Sequence, residues 1–229
     1  LVQRAMTSGG DALASDTDLG GTDVLVADPE DVNTARMGID QDGRIFVALG
    51  YLTEDFEEYV VVYRSTDDGT SFQAWGQLGS PTEGDVRLND LDVATGSTPR
   101  VFVTTMLFDG VSSFDAQVSW ADPTASSASW VTTTPLSTGA SFLRPRIDID
   151  HRSFDPYYIY LVCAGLDGNG DDIWFTRSTD QGATWETPYR IAELTSDGNL
   201  MYSSPRVSYG SGGVVHVAWT YTERLQDTF

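Results

Sequence analysis

The chain contains no lysine and a single cysteine. All 13 basic residues are arginine, set against 34 acidic ones, for a formal net charge of −21. No basic stripe interrupts that surplus, which argues against nucleic acid and anionic membranes as partners. The lone Cys163 excludes an internal disulfide, and its place in the apolar run 158–164 reads as a small buried hydrophobe. No apolar run approaches the length that crosses a bilayer, so membrane insertion is not expected. No segment of useful length carries a 3.6-residue hydrophobic period, which leaves helices without a signal. Phosphate loops and CxxC pairs are missing, and the two histidines, His151 and His216, have no partners at metal spacing.

What is abundant is aspartate, 26 residues against 8 glutamates. Aspartate is a turn residue as much as an acid. Such a surface suits a saline or extracellular setting, where salt screens self-repulsion. The plainer reading is that the aspartates cap turns and hold occasional cations. The chain opens at Leu1 with neither an initiator methionine nor an export signal. It therefore reads as a processed product or a piece of a longer protein.

Four segments share one pattern. Ala35–Asp40 is followed by Asp42-Gly43 and Ile45–Leu49; Val86–Leu88 and Leu91-Asp92 by Val101–Val103; Pro145–Asp150 by Ile159–Val162; Pro205–Tyr209 by Gly212-Gly213 and Val215–Trp219. The arginines that anchor them, Arg36, Arg87, Arg146 and Arg206, are 51, 59 and 60 residues apart. Each segment reads as two β-rich strands joined by a turn. Third strands follow at Tyr59–Arg64 and Asp172–Arg177, and short fourth strands near Gln73–Leu78 and Tyr189–Ala192. Four strands every 50 to 60 residues is the period of a propeller blade. The units run over about 33–80, 85–137, 142–193 and 202–229. Residues 1–30 offer two more strands, near Leu1–Met6 and Val24–Ala27. These either close a four-bladed ring or belong to a preceding blade of a larger one, and the larger ring is the preferred expectation.

Two third strands run into matching turns, Ser65-Thr66-Asp67-Asp68-Gly69-Thr70-Ser71-Phe72 and Ser178-Thr179-Asp180-Gln181-Gly182-Ala183-Thr184-Trp185. The pattern S-x-D-x-G-x-x-[WF], each preceded by an arginine, resembles the Asp-box, or bacterial neuraminidase repeat, of sialidase-like β-propellers. Its logic is local. Ser65, Asp67, Ser178 and Asp180 bond turn backbone, Gly69 and Gly182 take a conformation a Cβ opposes, and Phe72 and Trp185 fold back into the blade. The resemblance implies an all-β propeller of four-stranded antiparallel blades, about four of them visible. In that family the boxes sit away from the ligand face and diagnose fold rather than activity. The second unit departs from the pattern: Ser119-Trp120-Ala121-Asp122-Pro123 stands where a box is due, with Trp130 further on.

The repeated arginines are the candidate ligand-binding residues. Arg36, Arg87, Arg146 and Arg206 open equivalent first strands, which line a propeller's axis, and converging guanidinium groups suit a carboxylate. The resemblance extends here, since sialidases grip the sugar carboxylate with an arginine cluster. The competing reading is an ion-pair ladder, with Asp40, Asp92, Asp148 and Asp150 neutralising the arginines, and repetition in every unit favours it. The family's F-R-I-P motif is met only loosely by Phe142-Leu143-Arg144-Pro145. No tyrosine nucleophile or acid/base aspartate can be fixed, and Glu57, Glu58, Glu186 and Glu223 lack distinguishing context, so no catalytic residue is assigned. The acidic turn Asp167–Asp172 is the candidate cation site, through Asp167, Asn169 and Asp171. It lacks the glycine and downstream glutamate of a calcium loop, so a plain hairpin explains it more cheaply and no cofactor is otherwise expected. Trp75, Trp120 and Tyr51 look exposed and could stack on sugars, but single aromatics of this kind are usually packing residues.

The expected function is a secreted or cell-surface module that binds a glycan or protein partner without chemistry of its own. A sialidase-type glycoside hydrolase is the alternative, and a structural subunit of an extracellular assembly is a third reading.

Overall fold

The structure is a computed structural model and describes residues 2–3, 17–18, 31–53, 58–80, 85–108, 110, 113–136, 141–151, 156–166, 171–193, 200–210 and 212–223. Every regular element among them is a strand. Three antiparallel sheets of four consecutive strands form its body. The first holds β3 (Asp31–Ile39), β4 (Ile45–Leu52), β5 (Glu58–Ser65) and β6 (Gln73–Leu78). The second holds β7 (Val86–Ala94), β8 (Arg100–Phe108), β9 (Phe114–Ala121) and β10 (Val131–Leu136). The third holds β11 (Ser141–Ile149), β12 (Ile159–Leu166), β13 (Asp171–Ser178) and β14 (Tyr189–Ala192). A fourth sheet has two strands, β15 (Leu200–Tyr209) and β16 (Val215–Glu223). In each sheet neighbours in sequence are neighbours in space, and the first strands β3, β7, β11 and β15 contact one another in that order.

The sequence explains the stacking. Second strands are apolar on both faces: Ile45 through Tyr51 on β4 and Val101 through Met106 on β8 are buried throughout. A strand covered on both sides reads as a continuous apolar run. The core is accordingly a series of clusters between sheets. Phe46, Ala48 and Val62 meet Leu91, Val93 and Val101 between the first and second. Phe102, Ala116 and Val118 meet Ile147, Ile159 and Leu161 between the second and third. Val162, Ala164 and Ile173 meet Val207 and Val217 between the third and fourth. On the far side of β3, Met37 and Ile39 stand 58% and 55% exposed.

Both S-x-D-x-G turns close the third strand onto the fourth. At Ser178 the hydroxyl receives the amides of Asp180 and Gly182, and donates to Asp180 Oδ1 at 2.9 Å. Asp180 in turn accepts Thr184 N at 2.8 Å and the Thr184 hydroxyl. Ser65, Asp67, Gly69 and Ser71 repeat the network. Gly69 and Gly182 sit at φ +83° and +85°, where a side chain is strained, and a Cβ on Gly182 would come within 3.1 Å of Phe102. Phe72 is buried in the first sheet's cluster, and Trp185 is half-buried against the second–third cluster, donating to Thr133 Oγ1 at 3.1 Å. Asp180→Ala strips three donors of their acceptor at a largely solvated turn, so a loss of about 1 kcal/mol is expected, read as a lower urea midpoint with unchanged m-value.

The unit lacking a box has a complete sheet: β9 and β10 are present, Asp122 caps its own turn by accepting Thr124 N at 2.8 Å, and Trp130 packs edge-on against Trp75. At the N-terminus, β1 (Val2–Gln3) pairs with β2 (Thr17–Asp18) as a separate sheet and does not extend β15–β16. The strand expected at Val24–Ala27 lies outside the described residues. The proposed stacking aromatics are packing residues. Trp75 and Tyr51 are 3% and 1% exposed, and Trp120 lies half-buried beneath the Arg100 guanidinium, 3.5 Å from its ring centroid.

Candidate functional site: an arginine-lined axial cavity

Each first strand carries one residue more than its partner strand. These bulges shift side chains relative to a simple count and decide what reaches the axis. Counting back from the turn, Ile39, Ile149 and Tyr209 face the first residues of their second strands, and Val93 faces Val101, the second residue of β8. Three residues earlier stand Arg36, Asp90, Arg146 and Arg206. The second sheet therefore places an aspartate in the arginine register, and Arg87 belongs to a different level, opposite Met106.

Asp90 is the hub that the ladder reading assigned to other aspartates. Its Oδ1 lies 3.6 Å from Arg36 Nε and 3.9 Å from Arg146 NH1. Both arginines also donate to the carbonyl of Asn89, Arg36 at 2.7 Å. Asp90 Oδ2 accepts the amide of Ile147 from the next first strand. Burial pushes the Asp90 carboxyl above its usual value despite the two cations. Burial likewise lowers Arg146, to about 10, with Arg36, Arg206 and Arg144 adding repulsion against the pull of Asp90. Arg146 Nε is buried and donates to nothing among the described residues.

Around this hub opens a cavity of about 530 Å³, bounded by β3, β7, β11 and β15. Four guanidinium groups line it, from Arg36, Arg87, Arg144 and Arg146, with Glu58 and Ser204. Arg87 is neutralised by a two-pronged bond to Asp85, at 3.1 and 2.8 Å, and by Glu58 at 3.4 Å. Arg144 donates to Ser204 Oγ at 3.0 Å and has no carboxylate partner among the described residues. Arg144 and Ser204 occupy matching bulge positions, each before a proline, at φ +55° and +52°. Left-handed backbone at two non-glycine residues is strain, and it aims both side chains at the cavity mouth. Arg206 lies outside the lining, exposed and bonded to the Pro205 carbonyl.

Four arginines against Glu58, Asp85 and Asp90 leave a local formal charge of +1 in a chain of −21. The arrangement suits an anion with two in-plane acceptor oxygens.

The remaining expected partners lie elsewhere. Asp40 ties its own turn, accepting Asp42 N and Arg44 N at 2.9 Å and pairing with Arg44 at 2.6 Å. Asp150 is buried at the end of the third first strand. Asp92 and Asp148 lie two residues beyond the Asp90 level, with His151 beside them. Of the acidic turn, Asp167 and Asn169 fall outside the described residues, and the backbone of Asp171 opens β13.

Burial first, and Asp92 second, push Asp148 up to about 6 from its ordinary 3.8. The folded chain thus holds this proton more tightly than the unfolded one. The stabilisation is complete below pH 4 and is lost as pH rises through about 6. Asp148→Asn keeps an acceptor for the Tyr209 amide. It is expected to raise Tm at pH 7 in EDTA buffer and to flatten the decline of Tm between pH 4 and 6.5, followed by a pH series of melting curves.

No family model matches the chain, and neither does any curated protein. Solved structures do. A protein of unknown function from Dyadobacter fermentans superposes with a TM-score of 0.64 at 15% identity, over 95% of this chain and 63% of its own. The Penicillium chrysogenum α-L-arabinanase complexed with arabinobiose gives 0.58 at 12%, over 88% and 60%. The Hadza microbial sialidase Hz136 gives 0.51 at 13%, over 86% and 41%. The fold is a β-propeller. This propeller chain spans about 60% of the length of the first two structures it matches. In a propeller the first strands of the blades surround the axis, so the cavity sits at the axial end of β3, β7, β11 and β15.

Proposed function

We propose that this chain is a carbohydrate-directed propeller of the Asp-box type, secreted or displayed at a cell surface, that binds a carboxylate-bearing sugar in its axial cavity. The observation that carries the reading is Arg146, half-buried near Arg36 with its sealed Nε–H unpaired among the described residues and burial lowering its pKa to about 10. A carboxylate entering the cavity gives that donor an acceptor and relieves the repulsion among the guanidinium groups. Sialic and uronic acids are the ligands of matching charge.

Binding without hydrolysis is the preferred form of the proposal. Glu58, the one carboxylate in the cavity lining, and Asp90, next to the lining residue Asn89, both serve arginines, which suits holding guanidinium groups in place. Sialidase-type hydrolysis is the second reading, favoured by Glu58 reaching the cavity lining. A glycan array followed by a fluorogenic sialoside assay separates the two. Retention of acidic glycans without turnover is the expected result. Turnover lost in Arg146→Met moves the assignment to a hydrolase, and indifference to acidic and neutral glycans alike contradicts both.

A further inference from the structure

Two residues along the first strands from Asp90, the axis carries a second cluster that the arginine cavity does not use. Asp92 comes from β7, Asp148 from β11 and His151 from the turn after β11. One ligand atom from each lies within 4.8 Å of the other two. His151 Nε2 is 3.6 Å from Asp92 Oδ2, the distance of an ion pair rather than a hydrogen bond. Asp92 Oδ2 is sealed from solvent and accepts no hydrogen bond among the described residues, while Oδ1 takes the amide of Val93. Asp148 spends Oδ2 on the Tyr209 amide. Two carboxylates from different blades thus face each other with one half-exposed imidazole beside them.

We propose that Asp92, Asp148 and His151 bind one divalent transition-metal ion of the Zn²⁺ or Mn²⁺ kind, clamping the second blade to the third. A buried carboxylate oxygen without a donor is the vacancy in hydrogen bonding that a cation fills. One imidazole with two carboxylates favours such a metal over Ca²⁺ or Mg²⁺, which take oxygen ligands. Bonds of about 2.0–2.2 Å to Zn²⁺ need the three atoms to close by roughly 1 Å, within reach of side-chain rotation at an exposed histidine. The site is distinct from the acidic turn at Asp167–Asp172, and it stands whether or not the arginine cavity binds a sugar.

The chain has only two histidines, which supplies an internal control. Titrating the full chain with ZnCl₂ at pH 7.5 is expected to shift the ring signals of His151 and fix its tautomer, leaving His216 on β16 unmoved. Calorimetry is expected to give one Zn²⁺ site, weakened about tenfold or more in His151→Gln and in Asp92→Asn. CaCl₂ at the same concentration is expected to leave His151 unshifted. Equal shifts at both histidines, no shift at His151, or undiminished Zn²⁺ affinity in both variants overturns the proposal. The spectrum of the unsubstituted chain decides it alone where a variant folds poorly.

Discussion

Phe102→Ala is expected to cost about 3–5 kcal/mol, the range for emptying a buried aromatic site. Phe102 is fully buried where the second blade meets the third. Its ring meets Tyr157 edge-on at 6.2 Å and lies against the backbone of Gly182 in the third blade's turn. That turn is stapled by Ser178 and Asp180, so it cannot collapse into the space the ring leaves. The loss is a large share of the 5–15 kcal/mol that holds an ordinary domain together. A urea series is expected to show a large drop in midpoint, and a small drop would mean that the blades do not share a continuous core at this point.

Arg146→Met is expected to do the reverse, removing binding while sparing the fold. A hydrogen bond to a charged group is worth roughly 1.5–3 kcal/mol, so affinity for a carboxylated sugar should fall tenfold to more than a hundredfold. Stability should hold or rise, because the variant relieves a cation buried among Arg36, Arg206 and Arg144, and Arg36 still pairs with Asp90. A variant that loses affinity and Tm together would place Arg146 in the scaffold instead. Calorimetric titration beside a melting curve separates the outcomes.

The parts of this account that were legible in the sequence are those set by local rules. Ser178-Thr179-Asp180-Gln181-Gly182 dictates its turn because every bond in it spans at most four residues. The second strands were legible because burial on both faces leaves an unbroken apolar run. The axis was harder to read, because register is a property of pairs of strands. Counted back from the turn, Asp90 stands three residues before Val93, at the arginine level, whereas Arg87 stands six before it, beyond the bulge at Asn89. Counting from Val101 back across the turn to Val93 would have exposed this. Arg144 was visible only as a loose F-R-I-P match and in the shared Arg144-Pro145 and Ser204-Pro205 spacing, because its left-handed backbone belongs to a bulge. Trp75 and Tyr51 looked exposed because strand position does not tell which face a neighbouring blade covers.

The arginine cavity is tested most directly at the Arg146 Nε–H signal in a ¹⁵N-edited spectrum, titrated with a methyl sialoside and, separately, with its methyl ester. The acid should move that signal downfield in a saturable way, and the uncharged ester should leave it in place. A signal that stays put under saturating acid, or follows acid and ester alike, would mean that the axial guanidinium groups hold the blades together and take no carboxylate.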